Sequence, residues 1–221
     1  MRRAFFPLLI FALSGCGELE HPEGLIPRWS TDWKQVISPD DRLRLHDWRT
    51  AFADGLAAAK KSGHAKEISR EGALLDPDAA LGGPIPNGMY RCRVIKLGAK
   101  EPGNLDFVSY PAFTCRVKAN RELQRLGKLG GSQRYVGLIF PGDGTRQVFI
   151  GTLVLSDETR ALQYGQDNDR DIAGYVERIG PNRWRLIMPK PHFESLIDVM
   201  ELTPLLQSNQ QNGELSERSK P

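Results

Sequence analysis

The chain has 221 residues, with 30 basic and 27 acidic side chains and ordinary proportions of apolar and charged residues. This length suits one compact domain with a short extension. The near balance of charge, with no basic stripe interleaved with aromatics, argues against a nucleic-acid partner, and no apolar run approaches the roughly 20 residues of a spanning helix.

Residues 1–15 read as a signal peptide. Arg2 and Arg3 form a positive start, Ala4 to Ala12 is apolar apart from Pro7, and Leu13-Ser14-Gly15-Cys16 fits a lipobox. Cys16 is then the expected lipid-attachment residue. The chain would be held through its N-terminal lipid on a bacterial envelope membrane. Gly17 in place of Asp favours the outer membrane, facing the periplasm. Processing removes two of the 30 basic residues and no acidic one, leaving 28 against 27. Residues 16–28 form a tether containing Pro22, Gly24 and Pro27.

Residues 29–86 are expected to be a helical segment followed by a turn-rich connection. Ser38 can cap a helix, Pro39 suits its first turn, and Asp40 and Asp41 suit the positive end of its dipole. Leu45, Trp48, Phe52, Leu56 and Ala59 recur at steps of three and four, which predicts one helix with one buried face. That spacing makes Trp48 and Phe52 core residues rather than a ligand stripe. Lys60, Lys61 and Gly63 mark its end. Asp76-Pro77, Gly82-Gly83-Pro84 and Pro86-Asn87-Gly88 punctuate the connection.

After Gly88 the period becomes two. Strands are expected near 89–97, 109–118, 121–128, 132–140, 146–155, 171–179, 183–189 and 197–203, and Arg121-Glu122-Leu123 could instead open a short helix. The short turns between them predict a sequential antiparallel sheet. Gly137, Gly151 and Gly174 lie inside strands, where glycine is tolerated if a sheet bends sharply or another backbone approaches. The fold class is therefore mainly β: a small antiparallel barrel of about eight strands over 87–204 with a helical N-terminal segment. A β-sandwich is the alternative. Residues 205–221 are a polar tail.

Cys92 shares a face with Tyr90 and Val94, and Cys115 with Phe113 and Val117. With Cys16 assigned to lipid, they are an even pair in an oxidising compartment, so a disulfide is expected. Two reactive thiols are the rival reading.

Several stretches together resemble the bacterial lipoprotein family grouped as domain of unknown function 4893. They are Leu75-Asp76-Pro77, Gly88 to Arg93, Gly131 to Arg134, Phe149 to Thr152, Tyr164-Gly165, Arg170 to Gly174, Arg183 to Leu186 and Pro189-Lys190-Pro191. The resemblance implies an envelope location and a domain over most of 29–204. It brings no catalytic residues and no cofactor.

Asp167, Asp169 and Asp171 alternate like the opening of a calcium loop, but Ile172 and Arg178 stand where that loop needs glycine and a bidentate glutamate. No metal site is expected. Ser132 lacks the strained turn of a serine nucleophile, and His192 with Glu194 reads as a surface pair. Gln133, Arg134, Tyr164, Arg170 and Asp171 form the candidate binding cluster. Its arginines could pair with Asp171 to staple loops, or recognise a carboxylate. The function expected is that of a non-enzymatic module binding an envelope protein or small ligand. The alternatives are a hydrolase using the carboxylates of 167–171 and a structural factor of the envelope.

Overall fold

A computed structural model describes residues 30–156 and 158–205. Cys16, the signal peptide, the tether and nearly all of the polar tail lie outside these residues.

The expected helix start is observed. Helix α1 spans Pro39–His46, and the Ser38 side chain accepts the Asp41 backbone N–H. The single helix predicted beyond it is two. Helix α1 ends at Asp47, and helix α2 spans Trp48–Lys61. The break lets the apolar face follow a curved support. Leu45 packs in a cluster with Phe140, Ile150 and Tyr164. Trp48, Phe52 and Ala59 pack in another with Ile95, Leu97 and Ile197. At Gly55 a Cβ would lie 2.7 Å from the Ile197 side chain and 3.2 Å from the Leu97 carbonyl. Glycine there lets α2 sit directly on the strands beneath. Helix α3 spans Ala65–Glu71 and runs into a 3-10 turn, Gly72–Leu75.

Nine strands follow among the described residues: β1 Gly88–Ala99, β2 Phe107–Ser109, β3 Phe113–Asn120, β4 Leu123–Lys128, β5 Gln133–Phe140, β6 Arg146–Leu155, β7 Asp171–Gly180, β8 Arg183–Pro189 and β9 Ser195–Pro204. The strand expected from 121 starts two residues later: Arg121, at φ 54°, and Glu122 form a turn, and neither a helix nor a strand opens there before Leu123. All pairings are antiparallel. Strands β3 to β9 pair in sequence, and β9 returns to β1 in register from Tyr90↔Pro204 to Ala99↔Ser195. This closes an eight-stranded barrel, with β2 as a ninth, outer strand. The sequence pattern merges β2 and β3 into one element. They are separate because Pro111 has no N–H for a ladder. β3 pairs with the first half of β1, and β2 with the second.

The interior collects alternating residues from every barrel strand, among them Tyr90, Val117, Leu126, Ile139, Phe149, Val176, Trp184 and Met200. Gly137 and Gly151 face each other across β5 and β6. A Cβ on Gly137 would lie 2.6 Å from the Gly151 Cα and 2.7 Å from the Phe149 ring. These glycines leave the interior volume that the Phe149 ring fills. Cys92 and Cys115 lie diagonally on β1 and β3 with their sulfurs bonded and Cα atoms 6.0 Å apart. Ile85, buried with the interior set, covers the end of the barrel at the start of β1. Its N–H donates to Gln147 and its carbonyl accepts from Gln124. The Tyr90 hydroxyl donates to the neighbouring Pro86 carbonyl.

On the outside, Arg185 of β8 and Glu177 of β7 form a buried ion pair at 2.6 Å, with both side chains at 0% exposure. The Arg185 guanidinium also donates to the carbonyls of Ala73, Leu74 and Asp76. It thus ties the 3-10 turn after α3 to the barrel wall. Glu177 is also paired with Arg146, at 2.5 Å, so Arg185→Ala leaves it one of two cations and orphans the three carbonyls, and should cost about 3 kcal/mol in denaturant unfolding. For the Cys92–Cys115 bond, which spans 23 positions, reduction should lower unfolding stability by about 3 kcal/mol.

Candidate functional site

The barrel is apolar near Ile85 and polar at its opposite end. The period-two pattern that places Tyr90, Cys92 and Val94 inside also places Lys96 inside, one step further along β1. Lys96 is 5% exposed. Its ammonium donates to Asp198 at 2.9 Å and lies 3.2 Å from the Glu194 carboxylate. Asp198 shares the inner face of β9 with Met200 and Leu202. It also accepts the hydroxyls of Tyr135, at 3.0 Å, and Ser195. Burial opposes the charge on Lys96, but Asp198 and Glu194 outweigh it and hold its pKa above the ordinary lysine value. Burial, with the Asp198 charge, pushes the Tyr135 pKa well up, so Tyr135 stays a neutral donor.

Above this network is a cavity of about 300 Å³, lined by Val94, Lys96, Tyr110, Phe113, Lys128, Gln133, Tyr135 and Glu194 and by the 130–132 turn. Its floor is charged and hydrogen-bonded, and part of its wall is aromatic. Lys128, at the end of β4, sits with its ammonium 4.1 Å from the centre of the Phe113 ring and 5.9 Å from that of Tyr135. No described carboxylate lies within ion-pair distance of it. Burial, then the charges of Lys96 and Arg134, lower its pKa below the ordinary lysine value. Glu194 closes one side of the cavity. Its backbone has φ 68°, a left-handed conformation uncommon for a side chain other than glycine. It is held there by Lys100 N–H and the Asn104 amide, both donating to its carbonyl. Leu105, Leu129, Leu162 and Phe193, on four different loops at this open end, are all exposed.

The candidate cluster read from sequence is divided by the structure. Gln133 lines the cavity and reaches Glu194 at 3.5 Å. Arg134 points away from it and donates to the carbonyls of Gly131, Ser156 and Glu158. One terminal nitrogen of Arg170 donates to both Glu158 carboxylate oxygens, at 2.6 and 2.8 Å, and its Nε lies 3.2 Å from Asp167. Neither arginine pairs with the Asp171 side chain, which instead accepts the Gly165 N–H. Tyr164 is buried against the start of α1, where Ser38 N–H donates to its hydroxyl and that hydroxyl donates to Asp41. The carboxylates of 167–171 diverge: Asp167 faces Arg170, Asp169 faces His192 at 3.1 Å, and Asp171 turns to Gly165. His192 therefore pairs with Asp169, not with Glu194 as its sequence spacing suggests. Glu201 is held between Arg93 and Arg183. Lys96, Lys128, Tyr135 and Asp198 were not singled out in the sequence. The available signal was the inward parity of each strand carried one step past its last apolar residue.

A second cleft, of about 500 Å³, lies between the start of α1 and the loops at 165–171 and 190–192. It is larger, and its cations are held, Lys100 by the Pro191 and His192 carbonyls and the others by carboxylates. Arg44 pairs with Asp41, Lys190 with Asp47 and His192 with Asp169. Among the described residues no group of histidine, cysteine and acidic side chains is arranged to hold a metal ion, and no helix is long and apolar enough to cross a membrane.

The fold and its open end define a closed antiparallel barrel with a small amphipathic mouth. The chain matches the family described as Domain of unknown function (DUF4893) over residues 33–202 and belongs to that family. No curated protein and no solved structure matches it.

Asp171 gives a pH signature. Burial raises its pKa from 3.8 to about 6, against the stabilising Gly165 N–H, and the charge of Asp41 adds to the rise. The native state then binds more protons than the unfolded state between these values. Stability conferred by the neutral acid is complete below about 4 and is lost as pH rises toward about 6. In urea unfolding, Asp171→Asn should remove this fall, so the wild type loses ground to the variant across that window and the difference is flat above it.

Proposed function

We propose that this protein is a lipid-anchored binding module of the bacterial envelope that holds a small ligand at the open end of its barrel. The observation that carries the reading is the uneven interior. A barrel built only for stability gains most from an apolar, filled core. Here one end is filled and covered by Ile85, while the other keeps a cavity with two inward lysines, one of which has no described carboxylate partner. Burying such charges costs free energy unless partners are supplied. A ligand that adds the missing partner and covers the aromatic wall would recover that cost. Small-molecule sites generally combine apolar walls with a few placed polar groups in this way. The arginines of the sequence cluster serve as loop staples in this reading, and Gln133 is the member that faces ligand.

The neutral dye N-phenylnaphthylamine tests the cavity. It should bind the mature chain saturably at one site. Val94→Trp, which fills the cavity, should abolish that binding with the circular dichroism spectrum unchanged. Ser132→Trp, on the exposed rim, should weaken it if the first variant does not fold. Dye binding that is absent, or indifferent to both changes, would contradict a ligand site at the mouth. The anchor is tested separately: Cys16→Ala should release the protein from the membrane fraction, and unchanged retention would remove the lipid from the account.

A further inference from the structure

The mouth is asymmetric in charge. Lys96 has two carboxylates, Asp198 and Glu194, while Lys128 has none among the described residues. The two carboxylates are held differently. Asp198 is 1% exposed and bonded to Lys96, Tyr135 and Ser195. The Glu194 side chain is 44% exposed, and among the described residues it bonds, besides Lys96, only the Gln133 amide, at 3.5 Å. Asp198 is thus part of the frame. Glu194 can swing into water by side-chain rotation alone, since its backbone is fixed through its own carbonyl by Lys100 and Asn104. With Glu194 in place the four groups sum to zero charge. With Glu194 swung out they leave one positive charge, spread over Lys96 and Lys128 beside the rings of Phe113 and Tyr135.

Resting on the reading of the mouth as a ligand site, we propose that its ligand is an organic monoanion with an apolar body, and that the Glu194 carboxylate is a built-in competitor the ligand displaces. The anionic group sits between Lys128 and Lys96, and Gln133 can donate to it once released from Glu194. The apolar body lies along Val94, Phe113 and Tyr110. A neutral ligand of the same shape gains the wall and not the lysines. A dianion brings more charge than the vacated site balances. Binding is then an exchange of one carboxylate for another at Lys96, with the new contact at Lys128 as the net gain.

Anilinonaphthalene sulfonate, an anionic relative of N-phenylnaphthylamine, separates the two layers of the account. It should bind the mature chain more tightly than the neutral dye. Lys128→Met keeps the stem and removes the charge, and should weaken the anionic dye about tenfold and the neutral one far less. Glu194→Gln should tighten the anionic dye about threefold to tenfold, with a smaller effect on the neutral dye. Octanoate should displace the anionic dye at a lower concentration than octanol, which gains the wall alone. If the neutral dye binds at the mouth but the anionic dye is no tighter and ignores both substitutions, the monoanion and the competitor are overturned while the ligand site stands. If neither dye binds in a way that Val94→Trp or Ser132→Trp abolishes, the ligand site itself is overturned.

Discussion

Closure of the sheet by β1 and β9 sets what every other part of the chain can do. A strand in a closed barrel has one face toward a confined interior and one toward the outside. The long β1 runs against β9 along almost its whole length, from the covered end to the open one. Tyr90, Cys92 and Val94 are therefore committed to the interior, and Lys96 with them. The same commitment on β9 brings Asp198 inward after Leu202 and Met200. The charged floor of the mouth follows from extending the inward parity of two adjacent strands by one step. The chain meets the cost by pairing Lys96 with Asp198 and by keeping Tyr135 protonated as a donor.

The outer face explains the N-terminal half. Ile95, Leu97, Ile187, Ile197 and Val199 point away from the interior and would expose an apolar strip without cover. Helices α2 and α3 cover it, and Gly55 permits the close approach. Arg185 fixes this cover by reaching from β8 to the carbonyls at the end of the 3-10 turn. Helix α1 covers a different strip, around Phe140 and Ile150, and is pinned by Tyr164. The β-rich part and the helical segment are therefore one folding unit, in which the helices do for the barrel's outside what Phe149 and Trp184 do for its inside.

Most strands were legible in the sequence, because period-two alternation survives wherever one face is buried, and the interior glycines pointed to a curved sheet. The helix start at Ser38 was legible for the same reason: a local capping pattern needs no tertiary information. The break at Asp47 was not, because Leu45 and Trp48 keep helical spacing on either side of it and only the curvature of the support separates them. β2 was hidden by its brevity and by its fusion in the pattern with β3. At the site, Gln133 was legible and the lysines were not. A lysine inside a strand reads as a solvated residue unless its parity is followed, and no local pattern reveals that Lys96 and Asp198, which face each other on β1 and β9, meet inside. Arg134 and Arg170 read from sequence as staples on Asp171 or as recognition residues; they staple, but on loop carbonyls and on the Glu158 and Asp167 carboxylates. That pairing is a tertiary fact.

The account as a whole turns on whether the polar end of the barrel is where a ligand goes. Crystals of the mature protein soaked in iodobenzoate give the most direct answer, since iodine is located by its anomalous signal. The account predicts the ring in the mouth along Phe113 and Val94, the carboxylate within hydrogen-bond distance of the Lys128 and Lys96 ammonium groups, and the Glu194 side chain rotated into solvent. Iodine found only in the cleft beside α1, or nowhere while Glu194 remains on Lys96, would contradict it.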